Sequence, residues 1–301
     1  MSNENTSEDW GNDWVRSSED KNFVKELCIE IINDPEKTLE FVLRHCKKDS
    51  EILEAGCGVG PWVHILDNLG YNITGLDYSR KALDIARKFN DNLKLIEGDV
   101  NSFQFSDNVF DVILSWGVLE HFSEGPIKSL TEKNRVLKAG GHLILGMPPR
   151  NLLRLLLQPL FKFKEWLKFN KIIRSFLNLE ERERKLSLYY YSVRELVDFL
   201  ENTGFKVTSI THTDHNQGLS EVEELITYKS NQQPFIFYEQ TVDGKSFDLN
   251  SKGQLLTNFL KKLNTGILNY NLIISAKKIK HVEYNQIPKF KKSFFQRNSR
   301  Y

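Results

Sequence analysis

Glu51-Ile-Leu-Glu-Ala-Gly-Cys-Gly-Val-Gly60 is an apolar strand running into a turn of alternating glycines. Ile52 and Leu53 read as a strand buried on both faces, as in a parallel sheet. Gly56, Gly58 and Gly60 let the backbone turn sharply and come close to a ligand. Two later stretches repeat the strand and close on an acid: Asn72-Ile-Thr-Gly-Leu-Asp77 and Leu93-Lys-Leu-Ile-Glu-Gly-Asp99.

A dinucleotide site of the G-x-G-x-x-G kind needs its last glycine at the opening of the helix, with the pyrophosphate over the helix N-terminus. Here the spacing is Gly56-x-Gly58-x-Gly60, followed by Pro61 and Trp62, so that fingerprint is not met. Asp77 suits ribose hydroxyls in either case. Asp99 discriminates, because a carboxylate closing a third strand can accept the exocyclic amine of an adenine.

Together and in order, these motifs resemble the class I S-adenosylmethionine-dependent methyltransferases of the small-molecule type (methyltransferase domain 11-like). The resemblance runs from about Asp34 to Gly146 and resumes from Tyr190 to Val207. It rests on Glu54-Ala-Gly-Cys-Gly-Val-Gly60, Gly-Leu-Asp77-Tyr-Ser79 and Glu-Gly-Asp99-Val100. A fourth strand, Phe110-Asp-Val-Ile-Leu-Ser115, leads into Trp-Gly-Val-Leu-Glu-His121-Phe, and a fifth follows within Leu137 to Pro148. The resemblance implies a doubly wound, mostly parallel Rossmann-like α/β sheet of seven strands, the last antiparallel. It also implies S-adenosyl-L-methionine as cofactor.

Lys and Arg number 41 against 40 Asp and Glu, a net charge of +1, so no global field favours nucleic acid. Cys28, Cys46 and Cys57 are too few and too scattered for a disulfide or zinc framework, and no metal is expected. The polar, acidic start of the chain is unlike a signal peptide, and no apolar run reaches membrane-spanning length. The expectation is a protein that is cytoplasmic, or peripheral at the inner face of the membrane, with no metal site. No motif sets an oligomeric state.

The chain divides into an arm over 1–33, a methyltransferase domain over 34–279 and a basic tail over 280–301. Asp34-Pro35-Glu36 predicts a helix through about His45. Strands near 51–55, 72–77, 93–98, 109–115 and 141–147 alternate with helices from Pro61, over 79–89 and over 126–138. Ser192-Val-Arg-Glu195 is a capping box whose helix stops at Gly204; strands over 205–210 and 271–276 complete the sheet. Insertions are expected at about 150–188 and 212–269, with an edge strand at Pro234–Tyr238. Asp107 and Asp111 frame the fourth strand and read as structural.

In-line methyl transfer needs donor and nucleophile held in line and water excluded, so the nucleotide pocket should be marked more strongly than any base. Gly56 and Gly58 would present backbone N–H groups to the methionine portion, and Glu54 would orient that turn and the amino-acid end. Asp77 would accept the ribose hydroxyls and Asp99 the adenine amine, with the Val100 N–H meeting a ring nitrogen. Cys57, Tyr78 and Ser115 complete the pocket, Cys57 as a small, compact residue. The bland alternatives are a helix-capping Asp77 and a turn-forming Asp99.

His121 is the candidate base, since its ordinary pKa lies near working pH; the alternative is a histidine that packs its loop. Trp10, Trp14 and Arg16 read either as an arm over the cofactor or as a helix covering an apolar patch. Tyr189, Tyr190 and Tyr191 either line an acceptor pocket or pack the first insertion.

Residues 150–174 carry seven basic side chains against one acid, interleaved with leucines and aromatics, and Pro159 predicts a break into two helices. Three readings stand: a lid, an interfacial segment on anionic membrane through 150–177, or a nucleic-acid contact, which the neutral global charge disfavours. A loose resemblance to surface-glycan and lipid-linked-sugar methyltransferases favours O-methylation of a small or lipid-linked acceptor, with a quinone-type ring hydroxyl fitting as well; the expectation is transfer to oxygen or nitrogen. The rival is a methyltransferase-like scaffold without activity.

Overall fold

The computed structural model describes residues 22–34, 36–169, 186–213, 238–240, 247–262, 271–287 and 296–299. Trp10, Trp14, Arg16, residues 170–185 of the first insertion, most of the second, Pro234–Phe237 and Lys289, Lys291, Lys292 and Arg300 of the tail lie outside them.

Five parallel strands alternate with helices: β1 (Glu51–Ala55), α3 (Pro61–Asn68), β2 (Asn72–Asp77), α4 (Arg80–Phe89), β3 (Leu95–Glu97), β4 (Phe110–Trp116), α5 (Ile127–Val136) and β5 (Leu137–Met147). Before them stand α1 (Phe23–Ile32) and α2 (Thr38–Leu43). With β7 (Phe205–Thr213) and β10 (Asn271–Lys278) they form a seven-stranded sheet in the order β3-β2-β1-β4-β5-β10-β7, antiparallel at its end. Ile52, Leu53, Ile113, Leu114, Leu143 and Ile144 are completely buried in its centre. The near-continuous apolar runs that mark these strands in sequence follow from burial on both faces.

Strand order reverses between β1 and β4, and ligands in open α/β sheets bind outside the carboxyl ends of strands at such a switch point. Register fixes what meets there. Glu54 lies opposite Gly75 on one side and Leu114 on the other, and Asp77 lies opposite Glu97. At the other end, Asp111 accepts the Glu51 N–H at 2.9 Å and pairs with Lys138 at 2.7 Å, fixing the start of β1. Arg135 bonds the Phe103 and Phe105 carbonyls and pairs with Asp107 and Glu132, tying the segment after β3 to α5. Both aspartates serve the structural role expected of them.

Several elements depart from the sequence reading. The helix expected from Pro35 to His45 is only Thr38–Leu43, because Lys37 adopts a left-handed conformation (φ 60°) that interrupts it. The N-cap is Lys37 and not Asp34, whose side chain accepts from the Glu36 and Thr38 backbone N–H groups at 2.9 and 3.0 Å. From Phe23 onward the expected arm is a core helix: Val24 and Cys28 of α1 pack with Val59, Ile65 and Ala82. β7 and β10 each run a few residues longer than expected.

The break at Pro159 does not occur. α6 (Leu152–Phe169) continues through it, since one missing N–H on an exposed turn costs a helix a single bond. In the tail, β11 (Gln296–Ser299) pairs antiparallel with β6 (Leu186–Tyr189). The Ser192 capping box forms as expected and opens α7 (Val193–Asn202).

The chain groups into two compact units. One comprises Met1–Met147, Lys185–Thr211 and Ile273–Tyr301; the other comprises Pro148–Arg184 and His212–Leu272. The second contains α6, a hairpin of β8 (Tyr238–Gln240) and β9 (Phe247–Leu249), and α8 (Ser251–Lys262).

Candidate functional site

The glycine turn is stitched to β2 by its own backbone. The Gly56 and Cys57 N–H groups donate to the Leu76 carbonyl at 2.7 and 3.0 Å, and the Gly58 N–H donates to Asp77 Oδ2 at 2.8 Å. Gly56 has φ 88°, and a Cβ there would run into Val118 Cγ2, so the turn and the segment after β4 close on each other only because this residue is glycine.

The Ser79 N–H donates to Asp77 Oδ1 at 2.8 Å, while the α4 cap is the Ser79 hydroxyl, which accepts from the Ala82 N–H. Asp77 is therefore not the helix cap. Its carboxylate has roughly four acceptor positions, so the backbone N–H groups of Gly58, Ser79 and Tyr78 leave room for a further hydrogen bond. The Gly98 N–H donates to the Asp77 carbonyl at 2.9 Å, which holds the β3 end beside the β2 end and puts Asp77 and Asp99 on one edge. Asp99 does form a turn, accepting from Asn101 N–H at 2.8 Å, with its side chain exposed; Val100 is buried and Tyr78 half-buried.

Two acids are buried side by side here. Burial, then repulsion from Asp77, pushes the Glu54 carboxyl well above the usual carboxylate range, against a single backbone N–H from Val63. Burial likewise raises Asp77, opposed by the N–H groups of Ser79, Gly58 and Tyr78. Cys57 is buried, with its thiol driven up by burial and then by Glu54 and Asp77, which disfavours the thiolate. Among the described residues no group of three or more His, Cys, Asp or Glu side chains could hold a metal ion.

Ser115, near the end of β4, gives its hydroxyl to the Ala55 carbonyl at 2.9 Å, locking the ends of β1 and β4 together. Trp116 stacks on Trp62 with ring centroids 5.1 Å apart, and a Cβ on Gly146 would occupy the Trp116 ring. The chain then makes a 3-10 turn over Leu119–His121, on which Glu120 is buried and His121 half-buried. Burial pushes the Glu120 carboxyl up to about 8. Tyr191 is also buried, and burial, then Glu195, Tyr189 and Glu120, raises its phenol. Tyr190 is buried and packs with Leu188, and Tyr191 meets Phe199 edge-on with ring centroids 5.2 Å apart.

Three buried polar atoms at or just beyond the carboxyl ends of β1 and β4 have no hydrogen-bond partner: Glu54 Oε2, Trp116 Nε1 and Glu120 Oε2. Folded proteins satisfy nearly all such atoms. His64, Asn134, His142 and Thr257 carry others, but on α3, on α5, early in β5 and on α8. The concentration at the switch point fits a polar ligand entering there.

Sequence reasoning named Glu54, Gly56, Gly58, Asp77 and Ser115 at this place, and all of them meet at the strand ends. It set Trp116 and Glu120 beside His121 after the fourth strand but gave neither a role. The Trp-Gly-Val-Leu-Glu-His stretch carried both, but nothing in its spacing shows that the glutamate turns inward. Lys133, completely buried on α5 behind Asp99, was missed for the same reason.

Comparison with known proteins accords with this geometry. Residues 53–145 match the family model Methyltransf_11, described as a methyltransferase domain. An uncharacterised protein of Methanocaldococcus jannaschii, MJ1123, is 31% identical over 182 residues, 58% of this chain and 73% of that protein. The demethylmenaquinone methyltransferase of Staphylococcus haemolyticus is 33% identical over 106 residues, 33% of this chain and 44% of that enzyme, so the match spans under half of it. The crystal structure of a SAM-dependent methyltransferase from Methanosarcina mazei superposes with a TM-score of 0.51 at 19% identity, covering 79% of this chain and 97% of that one, which shows a shared fold. On these matches and the strand order, the chain belongs to the S-adenosylmethionine-dependent methyltransferases of the Rossmann-like, class I fold.

Proposed function

We propose that the protein transfers a methyl group from S-adenosylmethionine to an oxygen or nitrogen of a small or lipid-linked acceptor. The observation that carries this reading is the cluster of unpartnered buried polar atoms, Glu54 Oε2, Trp116 Nε1 and Glu120 Oε2, at the switch point of the sheet. When bound, the cofactor supplies a methyl group on a positively charged sulfur, an electrophile that needs no covalent help from the protein.

The chain's own residues then bind, orient and exclude water. Glu54 offers a buried carboxylate oxygen to the ammonium of the methionine portion, and a charged partner offsets the burial that now raises its pKa. Asp77, fixed by the Gly58 and Ser79 N–H groups, accepts ribose hydroxyls with its remaining lone pairs. Asp99 and the Val100 N–H take the adenine edge, with Tyr78 beside them. Ser115 acts by holding the two strand ends together. His121, on the turn after β4, accepts the proton of the acceptor, and the buried carboxyl of Glu120 stands next to it in the chain.

The quinone-directed name of the Staphylococcus relative supports a quinone-type or other lipid-linked acceptor. That support reaches the shared domain alone.

Thermal shift with S-adenosylmethionine, S-adenosylhomocysteine and NAD tests the reading. Stabilisation by the first two and not by NAD is expected, together with transfer of labelled methyl to a component of a cell extract. Donor binding without transfer to any fraction would point to the inactive scaffold. No donor binding would overturn the proposal.

A further inference from the structure

α6 is amphipathic in the wrong sense for a helix in water. Leu152, Leu155, Leu156, Leu160, Phe163 and Trp166 are each at least half exposed, with Leu156 at 66%. At 100° per residue these six positions fall within a stripe about 140° wide that runs roughly 20 Å along the helix. Arg154 projects from the other side and is only 2% exposed. A water-facing helix buries its leucines and exposes its arginines; this one does the reverse.

Two more observations point to what covers the stripe. The segment 150–174 carries seven basic residues against one acid in a chain whose net charge is +1, so the sequence that holds the apolar face is locally basic. Lys162 is exposed at the flank of the stripe. Phe163 and Trp166 stack along the face with centroids 6.1 Å apart, a paired aromatic anchor of the kind favoured at a lipid headgroup boundary. The same compact unit exposes a second apolar pair on α8, Leu255 at 74% and Phe259 at 57%, one helical turn apart.

We propose that the outward face of α6 docks on an anionic lipid bilayer, lying in the interface with its leucines and aromatics among the acyl chains and its basic residues at the headgroups. Among the described residues no helix is long and apolar enough to cross a membrane, so the contact is peripheral. The charge excess selects lipid over a second copy of the chain, because two such faces would bring like charges together. This inference names a surface for the small or lipid-linked acceptor of the preceding section, yet it is read without turnover and stands or falls separately.

The test is flotation of the full chain with phosphatidylcholine vesicles, with and without phosphatidylglycerol, at low and high salt. Binding about tenfold stronger to the anionic vesicles is expected, weakening as salt rises. Leu156→Glu with Phe163→Glu should lower that binding about tenfold or more, and Lys162→Glu should lower it on anionic vesicles alone. Since all three side chains are exposed, far-UV circular dichroism should show each variant folded. A blue shift of tryptophan emission on vesicle addition, lost in Trp166→Ser, locates the contact. Equal flotation of wild type and the double glutamate variant would overturn the proposal. So would sedimentation showing a dimer that the same variants dissolve, with no vesicle binding.

Discussion

The Gly58 N–H donates to Asp77 Oδ2 at 2.8 Å, so the carboxylate expected to meet the ribose is also the strut that holds the glycine turn in place. One side chain thus couples the shape of the turn to the nucleotide pocket. Asp77→Asn keeps the volume but points an amide where a carboxylate accepted backbone N–H donors. It should cost about 1–3 kcal/mol in stability from poorly paired buried groups. Affinity for S-adenosylhomocysteine should fall roughly tenfold or more, by titration calorimetry. An unchanged dissociation constant would remove Asp77 from the site.

Glu54 predicts the opposite balance. Its carboxyl is buried with one oxygen unpartnered, so without ligand it burdens the fold. Glu54→Gln should leave the melting temperature unchanged or raised in the absence of ligand, because a neutral amide is cheaper to bury than a carboxylate. The stabilisation gained on adding S-adenosylhomocysteine should shrink sharply, as the ammonium loses its charged partner. Thermal melts of both proteins with and without ligand check this. An equal ligand-induced shift in wild type and variant would contradict the assigned role.

The centre of this molecule is readable from sequence because burial there is nearly total. Strands β1 and β4 leave short, mostly apolar runs, and the glycine turn admits few alternatives to a sharp βα connection. Legibility drops where an element is held by contacts its sequence does not announce. α1 looked like an arm because its short Val24–Cys28 stripe is diluted by glutamates and a lysine. Gln296–Ser299 is polar throughout, and only its pairing with β6 makes it a strand. α6 misled differently, since Pro159 suggested a break in a helix that tolerates it. Within the site, Asp77 and Glu54 followed from motif spacing. The burial of Glu120 depends on the tight turn after β4, which no periodicity encodes.

Glu120 makes a pH signature. Burial holds its folded pKa at about 8, far above the ordinary 4.5. The folded state therefore keeps a proton that the unfolded state releases, and this contribution to stability is fully present below about 4.5 and lost as pH rises through 8. Glu120→Gln cannot ionise, so its melting temperature should gain on wild type steadily between about pH 5 and pH 8. If the neutral carboxyl also helps position the acceptor or His121, turnover in wild type will show an inflection near pH 8 that the variant lacks. Parallel melting curves for the two proteins across this range would mean that the carboxyl is satisfied in solution.

Lys133 predicts the mirror image. It lies wholly buried on α5, its Nζ donating to Ser129 Oγ at 2.6 Å, with the Phe103 ring centroid 5.9 Å away. Burial lowers its pKa to about 7, only partly countered by Asp99. A folded pKa below the ordinary 10.5 means that the contribution to stability is present above 10.5 and is lost as pH falls through 7. Lys133→Met fills a similar volume without a charge to desolvate, and such replacements are often stabilising. The variant should melt a few degrees higher at neutral pH, corresponding to about 1–2 kcal/mol after the loss of the Ser129 bond. Its advantage should widen toward pH 6 and narrow toward pH 10, opposite in sign to Glu120→Gln. Calorimetry at these pH values decides the matter: a lower melting temperature for Lys133→Met at pH 7 would show that the ammonium is paired well enough to hold α5 in place, with Asp99 as its counter-charge.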